Sequence, residues 1–136
     1  MVRVSFDRKA RVLLASFSGT FAPEDIASLV ATATEFKAQE GTVRSIVDFT
    51  GIEVVGVTLT EMTEMARAKP QVMTGQERVF VIPQAMAMLF GMGRVFGTYQ
   101  SLGGFKEPQI VHTLPEAYAI LDLIDPDFQP LEQDAP

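Results

Sequence analysis

This chain of 136 residues predicts an α/β fold with a mostly parallel sheet, an N-terminal β-hairpin and helices packed on it. Three observations carry that prediction. Apolar runs of strand length recur along the chain, amphipathic segments of helical length lie between them, and after the first two strands the two types alternate.

Val2 to Phe6 (VRVSF) alternates apolar and polar residues, as a strand with one buried face does. Asp7-Arg8-Lys9 supplies a turn, and Arg11 to Phe17 (RVLLASF) is the second strand, broken by Ser18-Gly19-Thr20. Pro23 with Glu24 and Asp25 marks a first helical turn: proline loses no needed donor there, and the acids favour the positive end of the helix dipole. Ile26, Leu29, Val30, Ala33 and Phe36 form the apolar face of this helix, which runs to about Glu40 and stops at Gly41. Arg44 to Phe49 is a third strand, ended by Thr50-Gly51.

Thr58-Leu59-Thr60-Glu61 fits a capping box, in which hydroxyl and carboxylate each satisfy a free amide. It opens a helix from Leu59 to about Ala68, closed by Pro70. Glu77 to Ile82 (ERVFVI) is the next strand, Ala85 to about Leu102 a helix ended by Gly103-Gly104, and Gln109 to Thr113 the last strand. Thr113-Leu114-Pro115-Glu116 repeats the capping logic, and Ala117, Ile120, Leu121 and Ile124 give the final helix its buried face. Residues 1–124 therefore read as one domain. Residues 125–136 (DPDFQPLEQDAP), with three prolines and no period, read as a flexible acidic tail.

Composition narrows the functions. Hydrophobic residues at 47% and charged residues at 21% describe an ordinary globular chain with enough material for a core. The absence of cysteine excludes disulfides, thiolate metal sites and a cysteine nucleophile, and agrees with a cytoplasmic location. A net charge of −6, with no basic run, argues against nucleic acid as a partner. Charges interrupt the N-terminal apolar residues, so no signal peptide is expected, and the longest apolar stretch, Val81 to Gly93, contains Pro83 and Gln84 and is too short for a membrane span.

Few residues suggest chemistry. Gly91, Gly93 and Gly97 (GMGRVFG) imitate a dinucleotide fingerprint but fall inside a helix, where close packing explains them. His112, the single histidine, reads as a partly buried, hydrogen-bonded residue. Glu61, Glu64 and Arg67 share a helix at i, i+3 spacing and read as a solvated face. No convergent nucleophile, base and oxyanion donors can be named, so neither enzymatic activity nor a cofactor or metal is expected. The segment Met86 to Met92 is more informative: its apolar residues continue around the helix, beyond the stripe that covering a sheet requires. Surplus Met and Phe fit a deeply buried helix, an adaptable contact surface, a ligand cavity or a dimer interface.

"FSGTFAPEDI" before the first long helix, "VRSIVDFTG" at the central strand, "ERVFVI" at the next and "LPEAYAIL" at the last helix resemble the SpoIIAA-like (STAS) domains, the anti-sigma-factor antagonist family. The resemblance covers most of residues 2–124 and is nearest to a divergent branch similar in fold to CRAL-TRIO lipid-carrier domains. It implies a regulatory interaction module. In phosphorylated members a strand ending in Asp-x-Ser/Thr leads to Asp-Ser-Ser/Thr-Gly, whose first serine is phosphorylated at a helix N-terminus. Here Asp48 and Thr50 match the first part, but Gly56 stands for the aspartate, Val57 for the phosphoserine and Leu59 for the glycine, with only Thr58 matching as the next hydroxyl. Valine accepts no phosphate, so the switch is expected to be absent.

Two expectations follow. One is a non-enzymatic module that binds a protein partner or itself, as a homodimer; the other is a carrier of a small apolar ligand or lipid. The functional surface is expected at Asp48, Thr50, Gly51, Thr58 and Glu61, together with Met88, Met92, Arg94, Phe96 and Tyr99 on the Met-rich helix. The reason is positional: ligands of open α/β sheets collect at the carboxyl ends of strands, and Asp48 is expected near such an end.

Overall fold

The computed structural model describes residues 1–67, 73 and 75–131. Among them, the chain forms β1 (Val2–Asp7), β2 (Val12–Phe21), α1 (Pro23–Glu40), β3 (Arg44–Val55) and α2 (Leu59–Arg67). It continues through β4 (Arg78–Val81), α3 (Ala87–Leu102), β5 (Gln109–Val111), α4 (Leu114–Ile120) and β6 (Gln129–Pro130). The strands lie in the order β5-β4-β3-β2-β1-β6. Residues Ala68 and Pro70, expected to end α2, lie outside the described residues. No helix of the described residues is long and apolar enough to cross a membrane.

The class is α/β, but the sheet is mixed rather than mostly parallel. The pairings β2–β3, β3–β4 and β4–β5 are parallel, whereas β1 pairs antiparallel with both β2 and β6. The reason lies in the connections. A helix between two strands returns the chain to the same end of the sheet, which makes the next strand parallel. Only a short turn separates β1 from β2, so they run in opposite directions.

The final antiparallel strand comes from a segment expected to be tail. Residues 125–131 are tied down instead. The Asp127 N–H donates to Asp7 Oδ2 at 2.9 Å, and the Leu131 N–H donates to the Val4 carbonyl at 3.0 Å. Phe128 stacks on Tyr118 with ring centroids 6.2 Å apart. Asp7 also accepts from the Ala10 N–H at 2.9 Å, and these backbone bonds, that from Ala10 foremost, hold its carboxyl below the ordinary range. Residues 132–136 lie outside the described residues.

Two strand ends also move. β2 does not break at Ser18, and β3 does not end at Phe49; each runs on because the other pairs with it, from Ser18↔Gly51 to Phe21↔Val55. Thr50-Gly51 is therefore strand, not turn. The register shifts between Ser16 and Ser18, where β3 carries a bulge by placing Phe49 and Thr50 against Phe17 alone, and a Cβ on Gly51 would stand 2.8 Å from the Phe17 carbonyl oxygen. Glycine is required there by close approach of two backbones. Ile124, expected on the buried face of α4, is 90% exposed, because that helix ends at Ile120 and its apolar face is complete without it.

The helices divide unequally over the sheet. Alternate residues Val12, Ile46, Val79, Val81 and Val111 face α4, where Ala117 and Leu121 close the layer. The intervening residues face α1, α2 and α3.

Candidate functional site

On the face beneath α1–α3, β2 presents Leu13, Ala15 and Phe17, β3 presents Ser45, Val47 and Phe49, and β4 presents Arg78 and Phe80. α1 lies opposite with Ile26, Leu29, Val30 and Ala33, α2 with Met62 and Met65, and α3 with Phe96 and Gln100. Some of these groups touch, but together they line a cavity of about 310 Å³, at the lower end of the range in which proteins bind small molecules.

The side chains explain the void. At one end Phe17 stacks on Phe49 at 5.4 Å, Phe49 meets Phe80 at 5.5 Å, and Phe80 meets Phe96 at 5.8 Å. This row of rings props the helices away from the sheet. Further back, Ala15 and Ser45 on the strands and Ala33 on α1 are too small to fill the gap so created.

One charge belongs to this apolar chamber. Arg78 is 7% exposed, and its Nη2 donates to the Lys106 carbonyl. Its Nε makes no hydrogen bond, and no carboxylate among the described residues lies within ion-pair distance. Burial lowers its pKa to about 10, which leaves it a cation at neutral pH. Ser45 is its register neighbour on β3, and buried Gln100 lines the same cavity.

The expected site residues do not come together. Phe96 lines the cavity, and Met92 is buried in the cluster beside it. Met88 is 66% exposed at the start of α3, and Arg94 is exposed on the same helix. Tyr99 is half-buried, with the Arg67 guanidinium 4.4 Å from its ring centre. Thr58 and Glu61 form the reciprocal cap of α2: the Thr58 N–H donates to Glu61 Oε1 at 2.9 Å, and the Glu61 N–H to Thr58 Oγ1 at 3.1 Å. Both side chains are thereby occupied by structure.

Asp48 is not at the end of its own strand, because β3 continues to Val55; it stands level with Val81, the last residue of β4. It shares the face of Ile46, away from the cavity, and contributes with burial to raising the Tyr118 pKa. Its Oδ1 accepts from the Thr50 N–H at 2.9 Å, while Thr50 and Gly51 are exposed.

The other candidates have structural roles. His112 places Nδ1 3.0 Å from the Ile82 carbonyl oxygen and packs its ring against Phe90 at 5.6 Å. Gly93 and Gly97 lie at close contacts of α3, with Ile82 and Glu107. No group of three His, Asp or Glu side chains among the described residues is placed to hold a metal ion.

Sequence reasoning missed Arg78, Ser45 and Gln100. A signal existed for the first: in ERVFVI the arginine occupies an alternating position of a central strand, where a charge is costly unless it serves something. No protein-family model matches the chain, and no curated protein matches it.

Proposed function

We propose that this protein is a binding module that takes a small apolar ligand into the cavity between the sheet and α1–α3 and does not transform it. The cavity itself carries this reading: an apolar chamber of about 310 Å³ in a single domain, held open by a row of phenylalanines. Among the described residues that line it there is no carboxylate, histidine or cysteine to act as a base or activated nucleophile. The framework we propose is a divergent SpoIIAA-like one, without the phosphoserine switch. Supporting that last clause, Val57, at the phosphoserine position, is buried in the core, and the hydroxyl of Thr58 is engaged as a helix cap. A cytoplasmic setting belongs to the same proposal.

Titrating the delipidated protein with the neutral fluorophore pyrene tests the cavity. Saturable binding is expected in the wild type, with loss in Ala15→Leu, which fills the chamber. A wild type that binds neither pyrene nor any co-purifying apolar molecule, the latter checked by native mass spectrometry, would sink the reading.

A second reading, a module that pairs with itself or another protein, draws on Met88, Val54 and Leu59, which are 66%, 56% and 51% exposed. Light scattering tests self-association. A dimer that Met88→Lys dissociates supports it, and a strict monomer that also recovers no partner in a pull-down removes it.

A further inference from the structure

We infer that the ligand is a medium-chain aliphatic acid, its carboxylate paired with Arg78 at the Ser45 end of the cavity and its chain lying along β3 toward Phe49. The inference rests on the cavity reading above and adds the ligand's class.

The argument begins with an unbalanced charge. A guanidinium has donors on three nitrogens, and among the described residues this one donates one bond, to a carbonyl, while its Nε donates none. Buried cations are ordinarily paired, because desolvation is compensated only by a nearby anion and full hydrogen bonding. Among the described residues no carboxylate lies within ion-pair distance. Arg44, on the neighbouring strand β3 but on the other face of the sheet, shows the usual solution: its guanidinium is spent on the carbonyls of Leu121 and Ala10, at 2.8 and 3.2 Å. Arg78 keeps capacity in reserve inside an apolar chamber.

The ligand that completes such a site must bring an anion and a hydrocarbon body. Planar carboxylate matches the guanidinium fork, and Ser45, the register partner of Arg78 on β3, lines the same cavity. A neutral amphiphile would leave the cation uncompensated, and a cationic one would be repelled. The size follows from the strand: Ser45 to Phe49 spans four residue steps, about 13 Å at strand rise, the reach of a medium-chain acyl group. A two-chain phospholipid exceeds a volume of about 310 Å³.

Competition against pyrene on the full delipidated chain at neutral pH tests this, using decanoate, decanol and decyltrimethylammonium. Decanoate is expected to compete about tenfold better than decanol, the worth of a charge-assisted hydrogen bond, with the cation weakest. Arg78→Met is expected to bring decanoate down to or below the level of decanol while decanol itself is unchanged, and Arg78→Lys to keep part of the preference. If Arg78→Met does not fold, the wild-type ranking decides alone. Decanol equal to or better than decanoate overturns the carboxylate inference while the cavity reading stands. Failure of pyrene and of all three alkyl probes to bind removes both.

Discussion

The two faces of one sheet contrast sharply in how they are filled. Toward α4, Val12, Ile46, Val79 and Val81 have no measurable exposure, and α4 of seven residues covers them together with Leu121, Leu123 and Phe128 from the segment after it. Toward α1–α3, three helices cover the same strands and leave a chamber. Side-chain shape makes the difference. β-branched residues stand short and stiff on the pleat, so a helix settles directly onto them. Phenylalanines mixed with Ala15 and Ser45 produce high and low ground, and a helix resting on the rings cannot reach the small residues. Close packing is the default of protein interiors, which is why the proposed binding function is assigned to the open face.

The largest effect expected from this contrast comes from paired substitutions. Ile46→Ala on the closed face creates a void in a packed layer and should cost about 2–5 kcal/mol. Ala15→Leu, a few ångströms away on the open face, fills a void already present and should cost nothing or add about 0.5–2 kcal/mol. Urea unfolding of both variants measures the pair. Equal losses in the two would break the comparison, since they would mean that both faces are packed alike.

Next in size is Arg78→Met. Replacing buried ionic groups by apolar residues of similar volume is often neutral or stabilising, by up to about 1–4 kcal/mol, and a cation with no carboxylate beside it has less attraction to lose. The unliganded variant should therefore unfold at higher urea than the wild type, even though it loses the proposed anion site. A destabilised but folded variant would indicate that Arg78 is held for the Lys106 contact rather than for a ligand.

Much of this fold was legible in the sequence because its signals are local. The caps at Thr58 and Thr113, the proline that starts α1, and the apolar periods depend on neighbours a few residues apart. What could not be read depends on partners far along the chain. The extension of β2 and β3 past Phe17 and Phe49 exists because each supplies the other's ladder, so Ser18-Gly19-Thr20 and Thr50-Gly51 pass for turns when read singly. β6 exists because Asp7 and Val4 wait at the sheet edge for residues more than a hundred positions later. The site was only partly visible for the same reason. Phe96 was found through an excess of apolar residues on one helix, whereas a cavity is a space between elements, and Arg78 gains meaning only once its surroundings are known.

Thr58→Ala sharpens the comparison from outside both faces. The expected cost is about 1 kcal/mol, that of losing an N-cap, measured as a shift of the urea midpoint. Pyrene affinity should not change, because the Thr58–Glu61 pair holds the start of α2 and contributes nothing to the cavity lining. A matching loss of affinity would return the region around Thr58 to the site.

The smallest effect, a spectroscopic one, concerns Asp48→Asn on the closed face. Burial first, and the Asp48 charge second, raise the Tyr118 pKa above its ordinary value. A phenol whose folded pKa is raised adds stability that is fully present below the unfolded value, about 10, and is lost as pH rises through the folded one. Asparagine removes the like charge that opposes phenolate. The tyrosine absorbance titration should therefore move to lower pH without reaching the ordinary value, since burial remains, and the alkaline loss of stability should become shallower. Decanoate affinity at neutral pH should be untouched, because the ring and the carboxylate lie across the sheet from Arg78. If the substitution instead left the tyrosine titration in place and weakened decanoate binding, the division of labour between the two faces would be wrong at the residue where the sequence first suggested a site.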